Sequence, residues 1–443
     1  MRKLSFLVAA IICLSAAVSC TDTRPVSERL ASIPQVKKVE VLENSVFPEK
    51  YLLYFEQPVD YEDASKGTFL QRVFVGSVDP DSVNVIVTEG YGAQYAAYPR
   101  YREELSRMFN TNNIVIEHRY FLESTPFPEA KSIEEVNWSY LNARYAARDQ
   151  HNIVKALKSI YKGKWIATGI SKGGQTCGIF RAYYPKDVDI SVPYVAPLCK
   201  AQRDGRHEPF LAEQVGTPEA RQKVKDFQIE FLKRRKNIQP MFDSLCNARG
   251  YEFNLPLEEI YDYTMLEFSF AFWQWGSSPK YIPGPKATDR EVFRYMMRVS
   301  DPSYFNKECP TSPFFVQAAR ELGYYGYDLE QFAEYKDYLR INSTEGYLQK
   351  LVLPQTTGQN FDFDPYIYDK VSQFIATNKK AKMIYIYGED DPWSAPMVSD
   401  PHTDNIKVFV NPGGCHSTRI ASFPEDTRKE ITDLLTKWLY NDR

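Results

Sequence analysis

Short runs of apolar and β-branched residues alternate along the chain with longer segments whose apolar residues recur at helical spacing. The first two runs, 51–57 and 69–77, flank a polar connection and predict a β-hairpin. Further runs predict strands at 83–87, 114–116, 165–168, 190–195, 383–387 and 406–410. Helical spacing predicts helices over 140–161 and 425–440. Strands that alternate with helices indicate an α/β fold, with a mostly parallel sheet covered by helices.

The pattern changes between residues 200 and 370, where charged, helix-favouring sequence replaces the short apolar runs. Segments such as 219–235 and 331–340 predict helices, and a Pro-Gly-Pro link interrupts the region at 283–285. We therefore expect a sheet domain built from 45–199 and 371–443, with a large, mostly helical cap inserted at 200–370. No internal repeat or low-complexity segment is present.

Residues 1–20 are typical of an export signal. Arg2 and Lys3 precede an apolar stretch that ends in small residues, and Cys20 follows Ala17-Val18-Ser19 as in a bacterial lipoprotein signal. We expect an exported protein, periplasmic or a lipoprotein of the outer membrane or cell surface, with Cys20 as the lipidation site. Ordinary cleavage without lipid is the alternative. No other apolar run is long enough to span a bilayer, so any membrane contact is expected through this lipid alone.

Composition narrows the function classes. The chain has 443 residues, of which 43% are hydrophobic, enough for a substantial core. Its 54 basic and 57 acidic residues nearly balance, so no net field favours nucleic acid as a partner. The cysteines after Cys20 form no CxxC pair, which gives no support for a metal site and allows at most two disulfides. We expect no metal and no cofactor.

A G-x-S-x-G motif at 169–173 carries the clearest chemistry. It directly follows the predicted strand 165–168 and precedes a helix-compatible run, the context in which Ser171 would be the nucleophile of an α/β-hydrolase. The glycines leave room for a sharp turn, and the helix N-terminus directs backbone N–H groups toward developing negative charge. A purely structural glycine turn is the alternative.

A serine hydroxyl needs a base, and in this fold the acid and then the histidine follow the nucleophile along the chain. Of the five histidines, His416 comes after the last predicted strand and a glycine pair, where the catalytic imidazole is expected, whereas His402 precedes that strand. The loop after strand 383–387 offers the acid. We choose Asp391, which an Asp-Pro step fixes at the loop tip, with Asp390 as the alternative.

The oxyanion of an acyl-transfer reaction needs hydrogen-bond donors. We expect them to be the backbone N–H of Lys172, directly after the nucleophile, and one from the Gly90-Tyr91-Gly92 turn, represented by Tyr91. The motifs so far fit an esterase or lipase as well as a peptidase. A surface lipoprotein that keeps the fold only for binding is the non-enzymatic alternative.

Three motifs make the chain resemble the PS-10 (S37) family of secreted bacterial tripeptidyl aminopeptidases. They are T-G-I-S-K-G-G at 168–174, E-H-R-Y-F at 117–121 and G-E-D-D-P-W at 388–393. The segments 55–60 and 68–72 are also similar to the related lysosomal Pro-Xaa carboxypeptidase and its dipeptidyl peptidase relatives. The resemblance implies peptide substrates, cleavage after proline, and a hydrolase sheet with a helical cap.

An aminopeptidase must recognise a free ammonium group, for which a carboxylate in an aromatic cleft is suited. Within the predicted cap, the segment 263–275 embeds a single acid among aromatic residues. Glu267 is therefore the candidate ammonium anchor and Trp273 a candidate substrate contact, the alternative being that both only build the cap. Glu117, His118 and Arg119 are expected to form a structural ion network rather than to act in catalysis.

Overall fold

The strands of the protein form one nine-stranded sheet in the computed structural model, which describes residues 22–355, 359–399 and 401–441. The predicted export signal and Cys20 lie outside the described residues. The strands are Val36–Val41 (β1), Glu49–Pro58 (β2), Thr68–Ser77 (β3), Asn84–Thr88 (β4), Asn112–Ile116 (β5), Trp165–Ile170 (β6), Ile190–Tyr194 (β7), Lys382–Gly388 (β8) and Ile406–Asn411 (β9).

Helices account for most of the remaining ordered backbone. The α-helices are Val26–Ala31 (α1), Glu104–Phe109 (α2), Ala143–Leu157 (α3), Lys172–Tyr183 (α4), His207–Glu213 (α5), Pro218–Lys233 (α6), Arg235–Ala248 (α7), Leu257–Gln274 (α8), Asp289–Val299 (α9), Ser312–Gln317 (α10), Tyr347–Leu351 (α11), Tyr366–Thr377 (α12) and Glu425–Thr436 (α13). Short 3₁₀ segments are Ala64–Lys66, Gln94–Ala97, Leu122–Ser124, Trp138–Tyr140, Pro279–Tyr281, Pro302–Phe305, Glu330–Tyr338, Pro392–Ser394 and Ile420–Ser422, and π turns are Ala318–Leu322 and Lys437–Asn441.

The sheet order is β1-β2-β3-β5-β4-β6-β7-β8-β9. The pairs β1–β2, β2–β3 and β3–β5 are antiparallel, and every pair from β5–β4 to β8–β9 is parallel. Parallel strands need covered faces, and the central strands β4, β5 and β7 are buried along their whole length. This is the α/β-hydrolase sheet that the sequence predicts.

Two helical layers cover the sheet. On one face, α1, α3 and α4 pack against the strands, with Val154, Leu157 and Phe180 fully buried between them. On the other face, α2 and the C-terminal helix α13 contribute Leu105, Ile431 and Leu435. Because parallel strands end at the same edge, this arrangement brings the loops after β4, β6, β8 and β9 together.

A helical cap occupies the chain between β7 and β8. Helices α5 to α11 enclose their own core, which is rich in aromatic residues such as Phe231, Tyr261 and Phe268. Helix α12 behaves differently, because Ile367, Val371 and Ile375 pack with residues of α4 and β8 in the core of the sheet domain. The chain therefore returns to the sheet domain at Tyr366.

One strand lies in a segment for which the sequence pattern predicts no strand. Strand β1 pairs antiparallel with β2 at the edge of the sheet, and Lys37, Lys38 and Glu40 lie among its six residues. Charged side chains are a usual protection of an edge strand, and they hide it from a search for apolar runs.

Cysteines and long apolar helices add no further constraint on the fold. The thiols of Cys177, Cys199, Cys246, Cys309 and Cys415 are free, so none of the disulfides that the sequence permits is formed among them. Within the described part of the chain, no helix is long and apolar enough to cross a membrane.

Candidate active site

Ser171 occupies the sharp turn between β6 and α4. Its backbone adopts φ 58° and ψ −123°, a conformation that side chains rarely tolerate. Two glycines make the turn possible: a Cβ on Gly169 would lie 2.2 Å from the Gly173 carbonyl oxygen, and one on Gly173 would lie 3.1 Å from the Thr88 carbonyl oxygen. The motif therefore has a steric reason, and it presents the Ser171 side chain above the carboxyl edge of the sheet.

A buried carboxylate and imidazole lie on the same edge. His416 Nδ1 is 2.7 Å from Asp391 Oδ2, and both side chains are buried. Asp391 Oδ1 accepts the Trp393 backbone N–H at 3.1 Å. Ser171 and His416 line one cavity. The structure thus brings together the serine, histidine and aspartate that the sequence suggests.

Asp390, the alternative acid, faces the cap. Its Oδ1 accepts the backbone N–H of Gly216 at 2.7 Å, and its own N–H donates to the Gly414 carbonyl oxygen. It therefore ties the loop after β8 to the cap, and the partner of the His416 ring is Asp391.

The other four histidines are placed away from this pair. His402 is exposed, as expected for a surface loop, and His151 pairs with Asp187 on the surface of the sheet domain. His207 is buried in the cap against aromatic rings. His118 is buried with Nδ1 beside the Arg119 carbonyl oxygen, and burial and the nearby Lys172 charge lower its pKa well below the usual value.

The turn after β4, where the second oxyanion donor is expected, packs directly on the start of α4. A Cβ on Gly90 would lie 2.7 Å from the Gly173 nitrogen, so only glycine allows this approach. The backbone N–H groups of Gly90 and Tyr91 both donate to Glu89 Oε2, at 3.0 and 3.3 Å. The backbone N–H of Tyr91, the expected oxyanion donor, therefore already donates to the Glu89 carboxylate.

The Lys172 side chain reinforces this turn. Its Nζ donates to the Gly90 carbonyl oxygen at 2.5 Å and lies 5.6 Å from the Tyr91 ring centroid and 5.2 Å from that of Phe121. Burial lowers the pKa of Lys172 to about 7 against the opposing attraction of Glu321 and Glu89. A buried ammonium between a carbonyl and two rings holds the Gly90–Tyr91 peptide in one orientation.

Glu117 and Arg119 form buried ion pairs, as their sequence suggests, whereas His118 takes no part in them. Glu117 binds the Arg72 guanidinium at 2.6 Å and accepts the backbone N–H of Ala93 at 2.8 Å. Arg119 pairs with Asp149 at 2.7 Å, and both side chains are buried. The first pair anchors the chain beyond the Tyr91 turn, so the network supports the site without reaching Ser171.

The catalytic cavity has a volume of about 970 Å³, large enough for several amino-acid residues. Aromatic side chains from the sheet domain and the cap supply much of its wall: Tyr91, Tyr95, Tyr101, Tyr251, Trp275, Tyr304, Phe314 and Trp393. Four acids, Glu89, Glu103, Glu267 and Asp301, line it with a single arginine, Arg419. Such a cavity is suited to an apolar ligand that carries a positive charge.

Glu267, the candidate ammonium anchor, lies in the wall of this cavity. The side chain is on α8, only 6% exposed, and its Oε2 accepts hydrogen bonds from the Tyr325 and Tyr327 hydroxyls at 2.8 Å each. Burial raises the pKa of Glu267 to about 7, and the two hydroxyls oppose that rise. Burial likewise raises the pKa of Glu103 to about 7. Both carboxylates are thus poised to gain from a cationic ligand.

Trp273, the second candidate contact, does not line the catalytic cavity. Its indole packs against Gly216 and Phe272 on another side of the cap. Trp275, two residues later, lines the cavity and meets the His416 ring edge-to-face at 5.8 Å. Helix α8 ends at Gln274. The helical periodicity that directs Trp273 into the cap core therefore does not apply to Trp275.

Sequence reasoning missed Glu89, Glu103 and Trp275 in the cavity. Glu89 directly follows β4 and precedes the predicted oxyanion turn, so its place at the carboxyl edge of the sheet was the available signal. Glu103 gives no such signal, because its sequence neighbourhood is that of an ordinary helix N-terminus: it caps α2 through the Leu105 and Ser106 N–H groups. Among the described residues, no group of three or more His, Cys, Asp or Glu side chains is arranged to hold a metal ion.

Comparison with known proteins places this geometry in a family. The model of the PS-10 peptidases, S37, matches residues 21–440. A prolyl tri/tetrapeptidyl aminopeptidase of Streptomyces mobaraensis is 30% identical over 449 residues, covering 98% of this chain and 90% of the relative. Proline iminopeptidase of Mycobacterium smegmatis, a solved structure, covers 87% of this chain and 100% of its own at 13% identity and a TM-score of 0.38. The family model and the Streptomyces relative show that the chain belongs to the S37 family of PS-10 peptidases and is a serine peptidase.

Proposed function

We propose that this protein is an exported exopeptidase that releases tri- or tetrapeptides from free N-termini by cleaving after proline. The observation that carries the proposal is a single cavity lined by Ser171, by His416, whose ring is paired with Asp391, and by the buried carboxylate of Glu267. A nucleophile with its base, and an anchor for a positive charge, are the two elements that an aminopeptidase needs.

The chemistry follows from the triad. Ser171 Oγ attacks the scissile carbonyl carbon while His416 Nε2 takes the hydroxyl proton, and Asp391 holds the Nδ1–H and stabilises the imidazolium. The tetrahedral intermediate collapses as His416 returns the proton to the leaving amine, which leaves an acyl-enzyme on Ser171. Water, deprotonated by His416, then attacks the ester, and His416 returns the proton to Ser171 Oγ as the short peptide leaves.

The ammonium group of the substrate would bind at Glu267. A buried carboxylate with two tyrosine hydroxyls on one oxygen keeps its other oxygen for a ligand, and an opposite charge offsets the cost of its burial. The distance between this anchor and Ser171 would limit the number of residues released. An acetylated N-terminus offers no charge, so it should bind poorly.

Cleavage after proline is supported by the name of the Streptomyces relative and by the walls of the cavity. Phe314 and Trp393 line it, and Phe314 packs edge-to-face on Tyr91, whose ring centroid is 5.7 Å away. Aromatic faces are a suitable surface for a pyrrolidine ring because they bury its apolar CH₂ groups. Export, with a lipid on Cys20, rests on the sequence of residues 1–20 alone.

Peptide p-nitroanilides test the proposed activity. Ala-Ala-Pro-p-nitroanilide should be hydrolysed at least 100-fold faster in kcat/KM than its N-acetyl form, about 2.7 kcal/mol for a buried charge pair. Pro-, Ala-Pro- and tetrapeptide analogues then measure the length released, and an Ala-Ala-Ala analogue measures the proline preference. Ser171→Ala, checked for folding by circular dichroism, must abolish all turnover.

Two results would contradict the proposal. Equal hydrolysis of the free and acetylated peptides would remove the exopeptidase assignment. Hydrolysis of p-nitrophenyl acetate without any peptide turnover would instead indicate an esterase on the same serine. Export is tested separately by fractionating cells and comparing the wild type with Cys20→Ala, which should lose membrane association if the cysteine carries lipid.

A further inference from the structure

The turn after β4 leaves the expected oxyanion site one donor short. The N–H groups of Gly90 and Tyr91 donate to the Glu89 carboxylate, and the Gly90 carbonyl oxygen accepts from Lys172. Both ends of the Gly90–Tyr91 peptide are therefore held by ionisable side chains. Using the Tyr91 N–H for an oxyanion would require Glu89 to move and leave its partners.

The Tyr91 side chain lies where that donor is missing. Its hydroxyl lies beside the Ser171 side chain, and both residues line the catalytic cavity. The ring is fixed on several sides: Phe121 and Phe314 pack edge-to-face at centroid distances of 5.6 and 5.7 Å, and Lys172 Nζ lies 5.6 Å from its centroid. A phenol held this firmly keeps its hydroxyl beside the nucleophile.

We propose that the hydroxyl of Tyr91 is the second oxyanion donor and acts together with the backbone N–H of Lys172. In the tetrahedral intermediate, the oxyanion and Ser171 Oγ are bonded to the same carbon, so a donor that lies beside Ser171 in the free enzyme is placed to reach the oxyanion. This inference rests on the proposed acyl transfer at Ser171 but not on the choice between peptide and ester substrates.

The electron count is that of ordinary acyl transfer. The Ser171 lone pair forms the new C–O bond, the carbonyl π pair moves to oxygen, and the serine proton goes to His416. Tyr91 keeps its own proton and only donates a hydrogen bond. Burial and the Glu89 charge raise the pKa of Tyr91 above its usual range, so the phenol stays protonated while the enzyme works.

The same groups explain why the turn is built from charged residues. Glu89 accepts the Tyr95 hydroxyl at 2.5 Å as well as the two N–H groups, and Lys172 bonds the carbonyl on the opposite side. These contacts orient the Tyr91 backbone, and the backbone in turn aims the phenol at Ser171. Glu89 and Lys172 are therefore positioning residues, and Tyr91 is the group that would touch the reacting atoms.

Tyr91→Phe tests the proposal because it removes one oxygen and keeps the ring. The loss of a single oxyanion donor should lower kcat by ~10²–10³-fold with KM changed by less than about threefold. Tyr261→Phe is the matched control: it removes a buried phenol that donates to the Phe231 carbonyl oxygen at 2.7 Å inside the cap, away from the cavity. It should leave kcat within about twofold of the wild type.

A peptide aldehyde separates a role in the transition state from a structural one. Ala-Ala-prolinal forms a hemiacetal whose oxygen mimics the oxyanion, so its inhibition constant should rise in Tyr91→Phe by about the same factor as kcat/KM falls. The inhibition constant of the product Ala-Ala-Pro should not change. Equal weakening of both ligands, or a thermal midpoint lowered far below that of Tyr261→Phe, would indicate structural damage and overturn the proposal.

Running each variant on Ala-Ala-Pro-p-nitroanilide and on p-nitrophenyl acetate distinguishes this inference from the proposed function. A lower kcat on both substrates supports the Tyr91 role. The same loss on the ester, without any peptide hydrolysis by the wild type, would support Tyr91 while refuting the exopeptidase. Unchanged kcat in Tyr91→Phe would refute the Tyr91 donor and leave the exopeptidase in place.

Discussion

The two walls of the catalytic cavity are built in different ways. The wall that the sheet contributes carries Ser171 and His416 on loops after β6 and β9, and Asp391, on the loop after β8, holds the His416 ring from behind. The wall that the cap contributes carries Glu267 within the long helix α8 and Trp275 directly after its last residue. Backbone geometry fixes the first wall, whereas packing between distant side chains fixes the second.

This difference shows where each kind of information lies in the chain. The turn at Ser171 is specified by glycines within five residues, and the order of the strands then places the acid and the base. The anchor at Glu267 depends on tyrosine hydroxyls from Tyr325 and Tyr327, 58 and 60 residues away. The turn of the proposed nucleophile is therefore encoded locally, whereas the proposed ammonium site depends on the folded cap.

The largest effect is expected from replacing Asp391, and its neighbour Asp390 provides the matched control. Asp391→Asn should lower kcat by about 10⁴-fold, because an amide cannot stabilise the imidazolium and holds the wrong tautomer of His416. Asp390→Asn keeps an oxygen for the Gly216 N–H and should change kcat by less than about fivefold. Steady-state hydrolysis of Ala-Ala-Pro-p-nitroanilide measures both, and equal losses would mean that the acid has been misassigned.

In the cap wall, Glu267→Gln should lower kcat/KM only for substrates with a free amine. The amide can still bond both tyrosines but carries no charge, so kcat/KM for Ala-Ala-Pro-p-nitroanilide should fall by about 10²-fold. The N-acetyl substrate should be hydrolysed as slowly as before. A similar loss on both substrates would show that Glu267 supports the fold of the cap rather than the ammonium group.

The pH dependence of that loss follows from the raised pKa of Glu267. The carboxyl is neutral below its pKa of about 7 and charged above it, so the anchor is lost as the pH falls through 7. The ratio of kcat/KM between wild type and Glu267→Gln should be large at pH 7.5 and approach one near pH 5.5. A ratio that is constant over this range would contradict an ionised anchor.

The smallest effects on activity are expected from replacing the two tryptophans at the end of α8, Trp273 and Trp275. Trp275→Ala should raise KM by about two- to tenfold because it removes an aromatic surface from the cavity wall, and should leave the melting temperature unchanged because the ring is 63% exposed. Trp273→Ala should leave kcat/KM within about twofold but lower the free energy of unfolding by about 3–5 kcal/mol. Kinetics and thermal melts on both variants show which tryptophan contacts the substrate. The reverse pattern would indicate that Trp273 is the substrate contact.

Local signals account for what the sequence could predict. The strands from β2 to β9, the turn at Ser171 and the cap all follow from apolar periodicity and glycine placement, and the sheet topology confirms the fold class. Strand β1 was not predicted because its edge position favours charged residues such as Lys37 and Lys38. The export signal and lipidation at Cys20 stay predictions.

In the candidate site, the sequence does not predict which side chains reach the cavity. The segment 263–275 could be recognised as aromatic, but which of its tryptophans reaches the cavity depends on where α8 ends. The engagement of the Tyr91 N–H by Glu89 could not be foreseen either, since the motif fixes only the turn and not the hydrogen bonds of its neighbour.

Labelling with a fluorophosphonate tests the central claim most directly, because covalent capture requires an activated serine. Mass spectrometry of the digested adduct should find the phosphonate on Ser171 and nowhere else, and Ser171→Ala should take up no label. Excess Ala-Ala-Pro should slow the labelling, whereas N-acetyl-Ala-Ala-Pro at the same concentration should not. Label on another residue, or equal protection by the two peptides, would contradict a Ser171 exopeptidase that reads a free N-terminus.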